Sequence, residues 1–454
     1  MNYARILPLL MFAAGCASAP SSDPSPEASS PMAAQRQPSF VVPRNEIAWS
    51  SIRGSVPQLP AWARVYAETL PATTAHQINL DFAQRVRNPL GPVLSAELRW
   101  TTASALGCEY AKRCAELDLR RAGVPSERLR TLDDVAAAPE ADRAAIEFAR
   151  KLTVASSSIT DAEFADLIEA SGPDDVVAIV HTVAYANFQS RILLALGISS
   201  EANEDALLPQ EVRPPAQGSL PVPARRTPSA SVATPPGPAS QPSWTDRTVA
   251  ELRDLLDRQK AKTTRIPSPD DPARLARVPR PYRGRMGKIA WGTVSMGYQP
   301  QLTGAWFRTM DAFEEEAALD QVFASSVFWV VNRTTECFYC MGHTEMLMEV
   351  GGLSGDAVVA RAARLADGDW RDFPPAEQHA FRFARKLTAT PSAVTDNDIR
   401  ALSDTFGRER TLDLIWQVAW GNYMMRISNA FQLRLESTNV FAEQKTPPKD
   451  AEGK

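Results

Sequence analysis

The stretch Glu336-Cys337-Phe338-Tyr339-Cys340-Met341-Gly342-His343 sets two thiols and an imidazole close together, and a copy of its surroundings lies earlier in the chain with that chemistry missing. Superposed without gaps, Leu98–Cys114 puts Trp100 on Trp329, Cys108 on Cys337 and Tyr110 on Tyr339. Ala111 then falls on Cys340, and Cys114 on His343. Two further blocks recur in the same order. Phe148-Ala149-Arg150-Lys151-Leu152-Thr153 returns as Phe383-Ala384-Arg385-Lys386-Leu387-Thr388. Val183-Ala184-Tyr185-Ala186-Asn187-Phe188 with Arg191-Ile192 returns as Val418-Ala419-Trp420-Gly421-Asn422-Tyr423 with Arg426-Ile427. Three blocks in one order at near-equal spacing are the mark of a duplicated domain. One copy keeps a dithiol beside a histidine and the other does not.

Around these blocks the chain reads as helix. Ser95–Ala122 has no proline, repeats apolar positions every three to four residues and stops at Gly123. Its counterpart runs from about Leu319 to Val350 and stops at Gly351-Gly352. Thr160-Asp161-Ala162-Glu163 has the capping-box form, and Thr395-Asp396-Asn397-Asp398 is a looser version at the matching place. Thr248-Val249-Ala250-Glu251 opens a further helix. No stretch shows strict apolar/polar alternation bounded by hairpin turns. The expectation is an all-α protein of two tandem helical domains, each of roughly 150 to 200 residues.

A chain of 454 residues with 44% hydrophobic and 22% charged content has the composition of a globular protein rather than a disordered one. A net charge of −4 without a basic stripe argues against a nucleic-acid partner. The prolines mark the boundaries. Arg5, followed by the short apolar run Ile6–Ala14, reads as a targeting segment at 1–16. Residues 17–45, rich in Ser, Pro and Ala, read as a disordered tether. The first domain then spans 46–200, and 201–245 reads as a Pro-rich linker with ten prolines between Pro209 and Pro242. The dithiol-bearing domain spans 246–436, with a polar tail over 437–454. No mature apolar run reaches the ~18 residues of a membrane span.

Ala13-Ala14-Gly15-Cys16 resembles the lipobox of bacterial lipoproteins, in which the cysteine is acylated and becomes the new N-terminus. A simple secretory signal cut near Ala17–Ala19 is the alternative. Ala17 and Ser18 lack the aspartate that retains such proteins in the inner membrane, so the expected address is the cell envelope, at the outer membrane or the periplasmic face, with the body exported. Cys16 would hold the protein to the membrane through lipid alone.

The pattern of Cys-x-Tyr-Cys on a long helix, a nearby histidine and a downstream Asn-x-x-x-Arg (Asn422 to Arg426, Asn187 to Arg191) resembles the carboxymuconolactone decarboxylase superfamily, and within it the alkylhydroperoxidase D-like branch. The resemblance covers roughly 46–198 and 246–436. It implies a small helical bundle that assembles through further copies, so that a fused pair substitutes for a homodimer. It also implies thiol peroxidase chemistry, with the second cysteine attacking the peroxide and the first resolving it. By position these roles fall on Cys340 and Cys337.

The residues support such a cycle in their own right. Cysteines three apart on a helix have Cα atoms about 5 Å apart, within disulfide range. Near a helix start, backbone N–H groups and the dipole are expected to lower the pKa of Cys337. A thiolate attacking a peroxide becomes a sulfenic acid, which a neighbouring thiol condenses to a disulfide. His343, one turn beyond Cys340, can relay the proton the leaving group needs.

Two departures from the family stand out. The family histidine follows the second cysteine by four residues and His343 follows by three, which turns the imidazole about 100° around the helix. The family also carries a glutamate about three turns upstream, where this chain has Ser325-Ser326; the first copy keeps Glu97 there without a dithiol. Glu336 and Glu345 are the nearest stand-ins, and Tyr339, Asn422 and Arg426 are auxiliary candidates.

The expected substrate is a hydroperoxide, with an unidentified thiol or disulfide reductant, no cofactor, no metal, and a homo-oligomer as a further partner. Other readings stay open. The Cys-x-x-Cys is also compatible with a structural disulfide, half of a zinc site with His343, or inert buried thiols. The whole is compatible with a lyase on a small cyclic acid or a non-enzymatic lipoprotein. In the first copy, Cys108 and Cys114 are about 9 Å apart along one helix and cannot pair. Cys108 reads as a buried hydrophobe, His181 as a half-buried packing residue and His379 as exposed. The Asn/Arg pairs could bind a carboxylate or make helix-to-helix hydrogen bonds.

Overall fold

The computed structural model describes residue 40 and residues 58–213, 247–283 and 287–442. The segments expected as leader (with Cys16) and tether, apart from residue 40, and most of the expected linker and tail lie outside the described residues. The fold is all-α, with no β-strand among the described residues.

The helices are α1 (Ala61–Ala67), α2 (Pro71–Val86), α3 (Gly91–Leu106), α4 (Glu109–Arg121), the short α5 (Ser126–Leu129), α6 (Glu140–Val154) and α7 (Asp161–Leu196). Three connecting helices follow, α8 (Val249–Lys260), α9 (Pro272–Arg277) and α10 (Arg280–Arg283). The first order then recurs as α11 (Ala290–Tyr298), α12 (Pro300–Glu316), α13 (Gln321–Thr334), α14 (Phe338–Val350), α15 (Gly355–Asp367), α16 (Pro375–Ala389) and α17 (Asp396–Phe431). Proline opens both α2 and α12, where its missing N–H would be unpaired in any case.

All three capping boxes form, at Thr160, Thr248 and Thr395. In the last, Asp398 does the work of the usual Glu, accepting from the Thr395 amide at 2.7 Å. α7 and α17 each run 36 residues and bend where Gly172 and Gly407 leave helical geometry at φ 76° and 77°.

The long helix expected across each cysteine is in fact two helices. Gly107 ends α3 at φ 68°, and the Cys108 amide bonds back to the Ala103 carbonyl at 2.9 Å. Glu336 takes the same left-handed conformation after α13, at φ 51°, with the Cys337 amide on the Asn332 carbonyl at 2.9 Å. Apolar periodicity runs straight through this break, and Glu336 is not a residue that announces a left-handed turn.

Within one compact unit, α7 packs along α17 and α2 along α12. The contacts are reciprocal. Arg191 Nη2 donates to the Thr388 carbonyl at 3.0 Å, and Arg426 Nη2 donates to the Thr153 carbonyl at 2.9 Å. An aromatic cluster fills the seam. Trp306 stacks on Tyr423 with centroids 3.6 Å apart, Phe313 stacks on Trp416 at 3.9 Å, and Phe188 meets Trp306 edge-on at 5.3 Å. Such pairs contribute roughly 0.5–1.5 kcal/mol each beyond their area.

The ordered body passes both boundaries expected from composition. Residues 201–213, read as the start of the linker, are packed: Val212 is fully buried and exchanges two 2.8 Å hydrogen bonds with Asn79, and Arg85 donates to the Leu207 carbonyl. At the other end, Asn439 bonds the Met346 carbonyl and Glu349. A few apolar side chains suffice to hold a Pro-bearing segment down. No helix among the described residues is long and apolar enough to cross a membrane.

Candidate active site

The turn at Glu336 starts α14 anew, which places Cys337 at its N-cap and Cys340 in its first turn. Both are free thiols and both are buried. Cys340 Sγ donates to Ser428 Oγ at 3.3 Å, and Ser428 in turn donates to the Met424 carbonyl, so α17 fixes the thiol from the side. The first turn is the end of a helix where negative charge is stabilised.

Cys337 does not show the expected lowering of its pKa. Burial raises it well above the usual thiol value, and the hydrogen bond and charge interaction with Cys340 raise it further. The opposing pull from the Cys340 amide and Ser428 is smaller. The N-cap position alone does not outweigh the loss of water around the sulfur.

His343 follows one turn on, on the face of α14 that it shares with Cys340 at i,i+3 spacing. Its Nε2 lies 2.6 Å from Glu436 Oε2, a residue from the segment after α17. Glu436 Oε1 accepts the Ala290 amide at 2.7 Å and the Tyr339 hydroxyl at 3.2 Å. Tyr339 also takes the Trp291 amide at 3.2 Å. The imidazole is held between the Tyr339 ring, 4.3 Å between centroids, and the edge of Phe441 at 5.1 Å. Burial acts to raise the Glu436 pKa, but the hydrogen bond and charge of His343 and the Ala290 amide outweigh it and hold the carboxyl below its ordinary value. Glu436 is therefore ionised, and His343 presents Nε2–H to it.

Gly342 makes this approach possible. A Cβ there would run into both methyl groups of Leu435, the residue beside Glu436. Leu435 is buried and has little room to move aside.

The other carboxylate candidates have partners of their own. Glu336 pairs with Arg247 at 2.9 Å, and Glu345 with Arg253 at 2.6 Å and the Trp329 indole N–H at 3.2 Å. Ser326 accepts from Arg361, and Glu97 in the first half pairs with Arg128 at 3.0 Å. Asn422 and Arg426 lie on α17, where Asn422 donates to Thr388 Oγ1 and Arg426 to the Thr153 carbonyl of the opposite half. Tyr339 does join the site.

Glu436 went unnoticed in the sequence, although a signal existed. Glu201 matches it at the same offset that relates Phe148 to Phe383. In the first half Glu201 likewise accepts the Ala61 amide at 2.6 Å and the Tyr110 hydroxyl at 2.7 Å, with Arg64 at 3.5 Å on its other oxygen. The place of His343 is taken there by Cys114, pushed up to about 12 by burial, with Arg85 pulling the other way. Cys108 is buried, and burial pushes it up to about 11.

Two histidines differ from expectation. His181 is fully buried rather than half-buried, with Nδ1 2.7 Å from the Tyr423 hydroxyl of the other half. Burial lowers its pKa to about 3, so it is neutral. His379 is half-buried within α16, with Nδ1 3.1 Å from Thr405 Oγ1.

No family model matches this chain, and no curated protein matches it.

Proposed function

We propose that the chain is a thiol-dependent peroxidase of the alkylhydroperoxidase D-like kind, lipid-anchored through Cys16 in the cell envelope, with its two halves standing in for the protomers of a dimer. The observation that carries the chemistry is the ionised Glu436 on Nε2 of His343, one turn from the dithiol. When Nε2–H is given to the carboxylate, an unprotonated His343 carries its lone pair on Nδ1, where it can take a proton.

In the proposed cycle His343 Nδ1 takes the Cys340 proton. The thiolate attacks one peroxide oxygen of ROOH, so an S–O bond forms as the O–O bond breaks. The departing alkoxide takes the proton back from His343 and leaves as ROH. Cys337, kept as a thiol by burial, then attacks the sulfenic sulfur. The S–S bond forms, the S–O bond breaks, and hydroxide leaves as water with the Cys337 proton. Two electrons pass from the dithiol to the peroxide, and an external dithiol reopens the disulfide.

Consumption of cumene hydroperoxide by the chain from Ala17 onward, with dithiothreitol as reductant, tests this reading. Turnover that Cys340→Ser abolishes supports it. Absence of turnover in the parent, with a Cys337–Cys340 disulfide that resists reduction in the folded protein, would leave the pair as a structural staple.

A further inference from the structure

A cavity of about 410 Å³ lies on the seam between the halves and is lined by matching positions from each. Thr153 and Ser156 of the first half answer Thr388 and Pro391 of the second, and Arg191 answers Arg426. Its mouth is open, since Ser157, Thr390 and Ser392 in the lining are exposed. No carboxylate lines it among the described residues.

The two arginines are the unusual part. Their exposures are 1% and 2%, yet neither has a counter-ion among the described residues. Arg191 donates to the Asn187 carbonyl and Oδ1 and to the Thr388 carbonyl, and Arg426 makes the equivalent bonds to Asn422 and Thr153. A guanidinium has five N–H donors. In both residues Nε has no hydrogen-bond partner among the described residues. Burial pulls the Arg191 pKa down to about 9, and Arg426 is lowered by burial and then by the charge of Arg191. Two like charges taken from water, close enough to disfavour each other and with no carboxylate partner among the described residues, are unfavourable unless an anion joins them.

We infer that this cavity is an anion-binding site for a small doubly charged oxyanion, such as a short dicarboxylate or phosphate, shared between Arg191 and Arg426. Hydrogen-bonded charge pairs of this kind favour oxyanions over halides, because the guanidinium edge matches two oxygens. The lining hydroxyls suit the remaining oxygens of the ligand. The inference assumes nothing about the dithiol.

Calorimetry and thermal melting on the full reduced chain test it, with succinate, inorganic phosphate, acetate and potassium chloride at matched ionic strength. Succinate or phosphate is expected to bind one per chain and raise Tm, with acetate and chloride at least tenfold weaker. Arg191→Met and Arg426→Met, checked for fold by circular dichroism, are each expected to weaken binding at least tenfold. Should a methionine variant not fold, Arg191→Lys and Arg426→Lys keep the charge, drop the Nε donor and are expected to weaken binding at least threefold. Binding of phosphate but not succinate would identify a compact tetrahedral ligand at the same site. Acetate binding as tightly as succinate would overturn the shared double charge. No binding of either dianion, or binding unchanged in these variants, would overturn the site.

Discussion

Glu201 and Glu436 occupy equivalent places in the two halves, each accepting a tyrosine hydroxyl and the amide at the start of a matching helix. Only Glu436 has a histidine on its second oxygen. The carboxylate is thus part of the common framework, and the second half adds the imidazole and the dithiol to it.

Glu436→Gln should separate the two roles. The amide can still accept from Tyr339 and Ala290, but it offers His343 no charge and no fixed tautomer. Peroxide turnover is expected to fall about 10- to 100-fold, the usual effect of removing a carboxylate behind a working histidine. Glu201→Gln should leave turnover within about twofold. Steady-state assays of the pair decide it, and an equal effect of both would point to a purely structural carboxylate.

Gly342→Ala should act at the same place by a different route. The added methyl displaces Leu435 and with it Glu436. A stability loss of about 1–3 kcal/mol is expected from overpacking, together with reduced turnover. Denaturant melts alongside the peroxidase assay check this. Parent-like values in both would mean that the segment yields without disturbing His343.

Asp413 gives a pH test independent of catalysis. Burial raises its pKa to about 7, the Ala318 amide at 2.9 Å only partly offsetting it. An unfolded aspartate titrates near 3.9. The folded state therefore holds this proton more tightly, and its contribution to stability falls as pH rises from about 4 to about 7. Asp413→Asn cannot ionise. Its gain over the parent should be near zero at pH 4 and reach a plateau above pH 7, at no more than about 4 kcal/mol. Thermal melts across that range check it, and a gain independent of pH would contradict it. His181, lowered to about 3, gives the parent an opposing slope that both proteins share.

The helical class and the capping boxes were legible in the sequence because each rests on nearby residues. Thr160 and Thr248 speak to partners three positions on. The Cys-x-x-Cys and His343 were legible for the same reason. Glu436 was not, because its bond to His343 joins residues 93 apart and no local pattern links them. The break before Cys337 was hidden because Glu336 holds a conformation that Gly107 adopts without strain. His181 read as packing, but its partner Tyr423 belongs to the other half.

The most direct test of the account is a single turnover in which the fully reduced chain meets one equivalent of cumene hydroperoxide and is mapped by mass spectrometry. The parent should yield a Cys337–Cys340 disulfide, and Cys337→Ser with dimedone present should yield an adduct on Cys340. A reduced, unmodified Cys340 in both, with the peroxide still intact, would contradict the assignment of this dithiol as the reacting centre.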